Sequence, residues 1–137
     1  MSAAQLSAEN VRRFMQAGRA RVTLVSEATG ARFTYRISAK DGVWFVSLLT
    51  GSDNEADYSF MGTIFADDRY RRSAKSRISA DAPSARAFAW AWPLLASGTI
   101  PAALKVYHEG RCGKCARPLT DPVSIESGMG PECRRNG

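Results

Sequence analysis

All three cysteines and the only histidine of this 137-residue chain fall in its last thirty residues, spaced H-x3-C-x2-C-x17-C. No other feature constrains the chain so tightly. Zn²⁺ takes four tetrahedral ligands, and thiolates with an imidazole make a closed site. The spacing therefore points to a Zn²⁺ site with ligands His108, Cys112, Cys115 and Cys133. Gly113 relieves crowding in the two-residue gap between Cys112 and Cys115. Gly128, Gly130 and Pro131 punctuate the return to the metal, and Pro131 can open a short helix with Cys133 in its first turn. Other readings stay open. The Cys-x-x-Cys pair suits a redox dithiol, but that use needs a strand-to-helix setting that the flanking residues do not supply. One disulfide plus one free thiol suits an oxidising compartment, which no signal peptide announces. His108 is the weakest of the four ligands; Glu132, Asp121, water or a partner chain could fill its place.

The same stretch carries a resemblance. Cys112-Gly113-Lys114-Cys115-Ala116-Arg117-Pro118-Leu119-Thr120-Asp121-Pro122-Val123-Ser124-Ile125, followed by Gly128-Met129-Gly130-Pro131-Glu132-Cys133, resembles a small zinc-binding domain of unknown function. That domain occurs in phage and proteobacterial proteins, sometimes appended to helicase-like or other DNA-metabolism proteins. The resemblance implies a zinc site and a phage or prophage setting, and it favours work on nucleic acid. It carries no settled activity.

The remainder reads as an α+β domain over residues 1–104, with a zinc-binding module over 105–137. Val11, Phe14 and Met15 make the apolar stripe of a short helix after Ser7, and Gly18 ends it. Strands are expected near 21–27, 31–38, 43–49 and 58–65, the second with Phe33, Tyr35 and Ile37 on one face and Arg32, Thr34, Arg36 and Ser38 on the other. Asp41-Gly42 is a strong hairpin turn. Tyr58, Phe60, Gly62 and Ile64 are expected to share a face. The acidic loop 50–57 lacks the spacing of a calcium loop. A helix over 82–96, capped by Asp81 and bent or ended by Pro93, should cover the sheet with Ala85, Phe88, Ala89, Trp92 and Leu95. The expected fold is thus a four-stranded antiparallel sheet covered by a helix, with frayed residues 1–5 and a connector that ends in a strand delivering His108.

Hydrophobic residues make up 45% of the chain, enough for a core, and no apolar run approaches the length of a membrane span. A soluble protein of the bacterial host cytoplasm is expected. The net charge of +6 favours an acidic partner, with DNA or RNA first. The segment Arg69, Tyr70, Arg71, Arg72, Lys75 and Arg77 holds five basic residues and an aromatic without an acid. Its guanidiniums suit phosphates and Tyr70 suits a base. Lys114, Arg117, Arg134 and Arg135 make a second basic group around the cysteines. Nucleophile elbows, phosphate-cradling loops and His-Glu-x-x-His are missing, so no enzyme is expected. The reading is a non-catalytic phage-type accessory protein that binds nucleic acid. Its rival is a protein-interaction module that inhibits or redirects a host machine, such as a defence nuclease complex or RNA polymerase.

Overall fold

The structure, a computed structural model, describes residues 4–53 and 56–136, with side chains through Cys133. Asn54 and Glu55 of the acidic loop lie outside the described residues. The chain runs β1 (Ala4–Gln5), α1 (Val11–Met15), β2 (Arg19–Ser26), β3 (Arg32–Lys40), β4 (Val43–Leu49), β5 (Tyr58–Ile64), β6 (Tyr70–Arg72), α2 (Pro83–Ala96), β7 (Leu104–His108), α3 (Pro122–Ser127) and α4 (Pro131–Asn136). The strands form a single antiparallel sheet in the order β1-β7-β2-β3-β4-β5-β6.

The expectation of a four-stranded sheet covered by a helix is corrected: among the described residues seven strands pair, and of the helices only α2 exceeds six residues. The four expected strands are β2 to β5. β1 and β6 are two and three residues long, too short to show a period in sequence. β6 is the start of the basic segment, and it pairs with the end of β5. β7 is the expected connector strand, but it lies inside the sheet, paired with β2 over five residues and with β1 on its other side. The module expected from residue 105 therefore shares its first strand with the body.

Local chemistry explains the meander. Asp41 and Gly42 both adopt positive φ, the geometry of a two-residue turn matched to strand twist, and Lys40 pairs with Val43 across it. The chain leaves β6 at one edge and must reach β7 near the other, so α2 crosses one face. That face carries Ala20, Val22, Leu24, Tyr35, Ile37, Val46 and Ile64. They meet Val11, Phe14 and Met15 from α1 and Ala85, Phe88, Ala91, Trp92 and Leu95 from α2. The Tyr35 hydroxyl donates to the Ser84 carbonyl at 2.7 Å, and its ring lies 4.9 Å from Phe88. Two details differ from expectation. Ala82, not Asp81, is the N-cap of α2, and Pro93 sits inside the helix, which continues to Ala96. Pro93 and Ala89 are both exposed, so the carbonyl that loses its bond to proline faces water. Ala91 takes the buried place expected for Ala89, and Trp90 is left exposed.

A bulge also redraws β5. Val46 pairs with Gly62 but Ser47 pairs with Phe60, which leaves Met61 as an extra residue. Met61 and Ile64 enter the core while Phe60 turns to the opposite face, so Tyr58, Phe60, Gly62 and Ile64 do not share a side. Gly62 is required: a Cβ there would collide with the Arg71 carbonyl and lie 2.7 Å from the Tyr70 hydroxyl. Among the described residues, no helix is long and apolar enough to cross a membrane.

Candidate metal centre

Beyond β7 the chain makes a tight reversal. Gly110 has positive φ, Arg111 bridges to Pro118, and Ala116 turns the chain in the left-handed region. The Cys112 amide donates to the Arg117 carbonyl and the Ala116 amide to the Cys112 carbonyl. This knuckle brings Cys112 and Cys115 together. The Asp121 carboxylate then caps α3 by accepting from the Ser124 amide at 3.0 Å, and Gly128 ends α3 with φ 73°. Pro131 opens α4, as expected, and Cys133 stands in its first turn.

The result is a group of three sulfurs, Cys112, Cys115 and Cys133, all within 4.8 Å of one another. They suit a metal ion on the chemistry of the donors. Burial opposes ionisation of Cys112, but amides of Gly130, Cys115 and Lys114 aimed at its sulfur outweigh that cost and bring its pKa to about 7. Burial and the two neighbouring sulfurs push Cys133 the other way, to about 11. Three thiolates this close repel one another unless a cation lies among them. Cys112 is buried, whereas Cys115 and Cys133 are partly open to solvent.

His108 is expected as the fourth ligand, but it does not join this group. It is fully buried, and both ring nitrogens meet backbone. Nδ1 accepts from the Gly110 amide at 2.9 Å, and Nε2 lies 2.6 Å from the Ile125 carbonyl, to which it donates. Burial, only partly offset by that carbonyl, lowers its pKa and keeps it neutral. The imidazole thus ties β7 to α3. Phe14, 5.4 Å away, completes the seat. A Cβ at Gly113 would lie 2.8 Å from the Phe14 ring, and one at Gly128 would collide with it. In sequence, Phe14 shows only as part of a helix stripe; the two glycines facing it are the signal of a close approach.

The basic segment is divided by the fold. Arg69, Arg71, Lys75 and Arg77 are exposed, with Arg69 3.5 Å from Asp67. Arg72 is turned inward and donates to the Ser73 and Ile78 carbonyls, which holds the loop. Tyr70 packs edge to face with Phe88 at 4.8 Å with its hydroxyl buried and the residue as a whole half-buried. Lys114 and Arg117 are exposed beside the cysteines. Arg134 and Arg135 belong to α4, and their side chains lie outside the described part.

Residues 102–136 match a family described as a family of unknown function (DUF6011), which covers β7 and the cysteine module. No curated protein and no solved structure matches the chain.

Proposed function

We propose that Cys112, Cys115 and Cys133 hold a structural zinc ion and that the chain is a non-catalytic, phage-type accessory protein of the bacterial cytoplasm that binds nucleic acid. The convergence of three sulfurs, with amides directed at Cys112, carries the metal part of this reading. Zinc is favoured over harder cations because thiolates are soft donors. His108 acts as a positioning residue for β7 and α3, so the fourth place of a closed site falls to another donor, with Asp121 and Glu132 lining the same hollow as Cys115 and Cys133. The nucleic-acid part rests on the net charge of +6 and on Arg69, Arg71, Lys75, Arg77, Lys114 and Arg117, which reach solvent. Such contacts with phosphate release counterions and weaken with salt.

Metal analysis of the purified protein tests the first part. One zinc per chain, retained in His108→Gln and lost in Cys112→Ser, is the expected result; zinc lost in His108→Gln would return the histidine to the ligand set. Retention of labelled DNA or RNA across a salt series tests the second. A protein-interaction module that inhibits or redirects a host machine is a second reading, favoured by one observation. Trp90 is 53% exposed on α2, beside an apolar hollow of about 210 Å³ lined by Phe33, Ala87 and Ala103. It displaces the first reading if neither DNA nor RNA binds at low salt.

A further inference from the structure

The sheet has a second face, turned away from α1 and α2, and its strands place charge there in rows. In β2, Ala20, Val22 and Leu24 are buried, so the alternate residues Arg19 and Arg21 point the other way. In β3, Tyr35 and Ile37 are buried and Arg36 and Ser38 point outward. The register sets Arg21 directly opposite Arg36 and Arg19 opposite Ser38. Like charges facing each other across a ladder are destabilising. The chain nevertheless adds a third element to them, because the reversal after β7 brings Arg111 to the same place. Arg19, Arg21, Arg36 and Arg111 line a cleft of about 360 Å³ with Ser38 and Glu109. One carboxylate thus stands among four guanidiniums.

Aromatic rings continue the row. Arg36 pairs with Ser47, and Ser47 with Phe60, which the bulge has turned outward. Phe60 is 37% exposed and meets Phe45 edge-on at 5.9 Å. The Arg36 guanidinium lies over the Tyr58 ring at 4.5 Å, which holds it flat and displays it. A hollow of cations next to an exposed ring on a pleated surface fits a chain of alternating phosphates and flat bases. It fits a single strand, because paired bases present no face for stacking.

We propose that this face is a platform for single-stranded nucleic acid. The cleft of Arg19, Arg21, Arg36 and Arg111 takes the phosphates, and a base stacks on Phe60. This rests on the nucleic-acid reading above and moves its centre from the β6 edge to the sheet. The Arg21→Ala/Arg36→Ala variant relieves a like-charge pair and gives up the Arg36–Tyr58 contact, so circular dichroism is recorded first to show that it folds.

The test uses fluorescence anisotropy on the full-length, metal-loaded chain with a labelled oligothymidine, the matching oligouridine and a duplex of equal length, from low to moderate salt. Arg21→Ala/Arg36→Ala is expected to weaken single-strand binding at least tenfold. It should also reduce the salt slope by about 1.4, because two phosphates lose their guanidinium partners. Phe60→Ala should weaken binding about 5- to 150-fold, the range for removing one base–aromatic stack. Arg71→Ala/Lys75→Ala/Arg77→Ala should cost less than the cleft variant. If the edge variant abolishes binding while the cleft variant keeps it, this inference fails and the proposed function stands. If the duplex binds more tightly and Phe60→Ala changes nothing, the single-strand assignment fails. If the wild-type chain binds none of the three at low salt, both readings fail.

Discussion

The body of the sheet and the cysteine module are held together by different physics. Between β2 and α2 the chain buries Val22, Tyr35, Ile37, Val46, Phe88, Trp92 and Leu95 in a continuous core. From Glu109 to Cys133, the buried hydrophobic residues described are Cys112 and Met129. Apolar burial stabilises by about 25 cal/mol per Å², so the body can fold on that term and the module cannot. The module relies instead on its sulfurs, on His108 and on Phe14 seated against Gly113 and Gly128. A chain can thus attach a nearly coreless segment if a metal replaces the missing apolar area and one ring docks it.

The sharpest way to break this comparison is to remove the proposed zinc. Zinc stabilises small thiolate sites by about 10 kcal/mol, so chelation or Cys112→Ser should collapse the amide spectrum of residues 109–136. The β2–β5 signals should persist. Simultaneous loss of the whole spectrum would mean that the body also depends on the metal. Phe14→Ala comes next. It leaves a hole at a ring that both parts share, and a cost of about 3–5 kcal/mol in denaturant unfolding is expected. Exchange protection should fall first in the module.

His108→Ala should cost about 1–3 kcal/mol, because it strands the Ile125 carbonyl without its donor. The sign of its pH dependence follows from the lowered pKa of the folded state. Unfolded chain takes the proton first, so the stabilisation is complete above about 6.5 and is lost as pH falls below it. His108→Gln keeps the donor and should flatten that part of the stability profile; an unchanged profile would place the titration elsewhere. Tyr35→Phe, within the body, should cost about 1 kcal/mol for the missing bond to Ser84. The smallest effect is expected at Tyr70→Phe. Its hydroxyl is buried without a partner among the described residues, and burial raises its pKa to about 12. Removing it should be neutral or slightly stabilising in thermal melts.

Much of this was legible along the chain because it is local. A period-two pattern marked β3, and Asp41-Gly42 marked the turn between β3 and β4. The spacing of Cys112, Cys115 and Cys133 marked the donor group. The charge run at 69–77 was legible too, but its use was not. Whether Tyr70 meets a base or Phe88 depends on where α2 crosses. The same holds for Arg72, whose Nη1 donates to two carbonyls of its own loop. Arg19, Arg21 and Arg36 show the reverse case: they are scattered in sequence, and alternation already put Arg36 opposite the core side of β3. Only strand register made them neighbours.

The sequence by itself determined the hairpins, the apolar stripes of α1 and α2, and the three sulfurs, because each depends on residues a few positions apart. Tertiary structure alone decided the strand count, the partners of His108, the outward turn of Phe60 and the arginine cleft. Each of these depends on which distant backbone lies alongside, and that is set by packing the whole sheet against its helices.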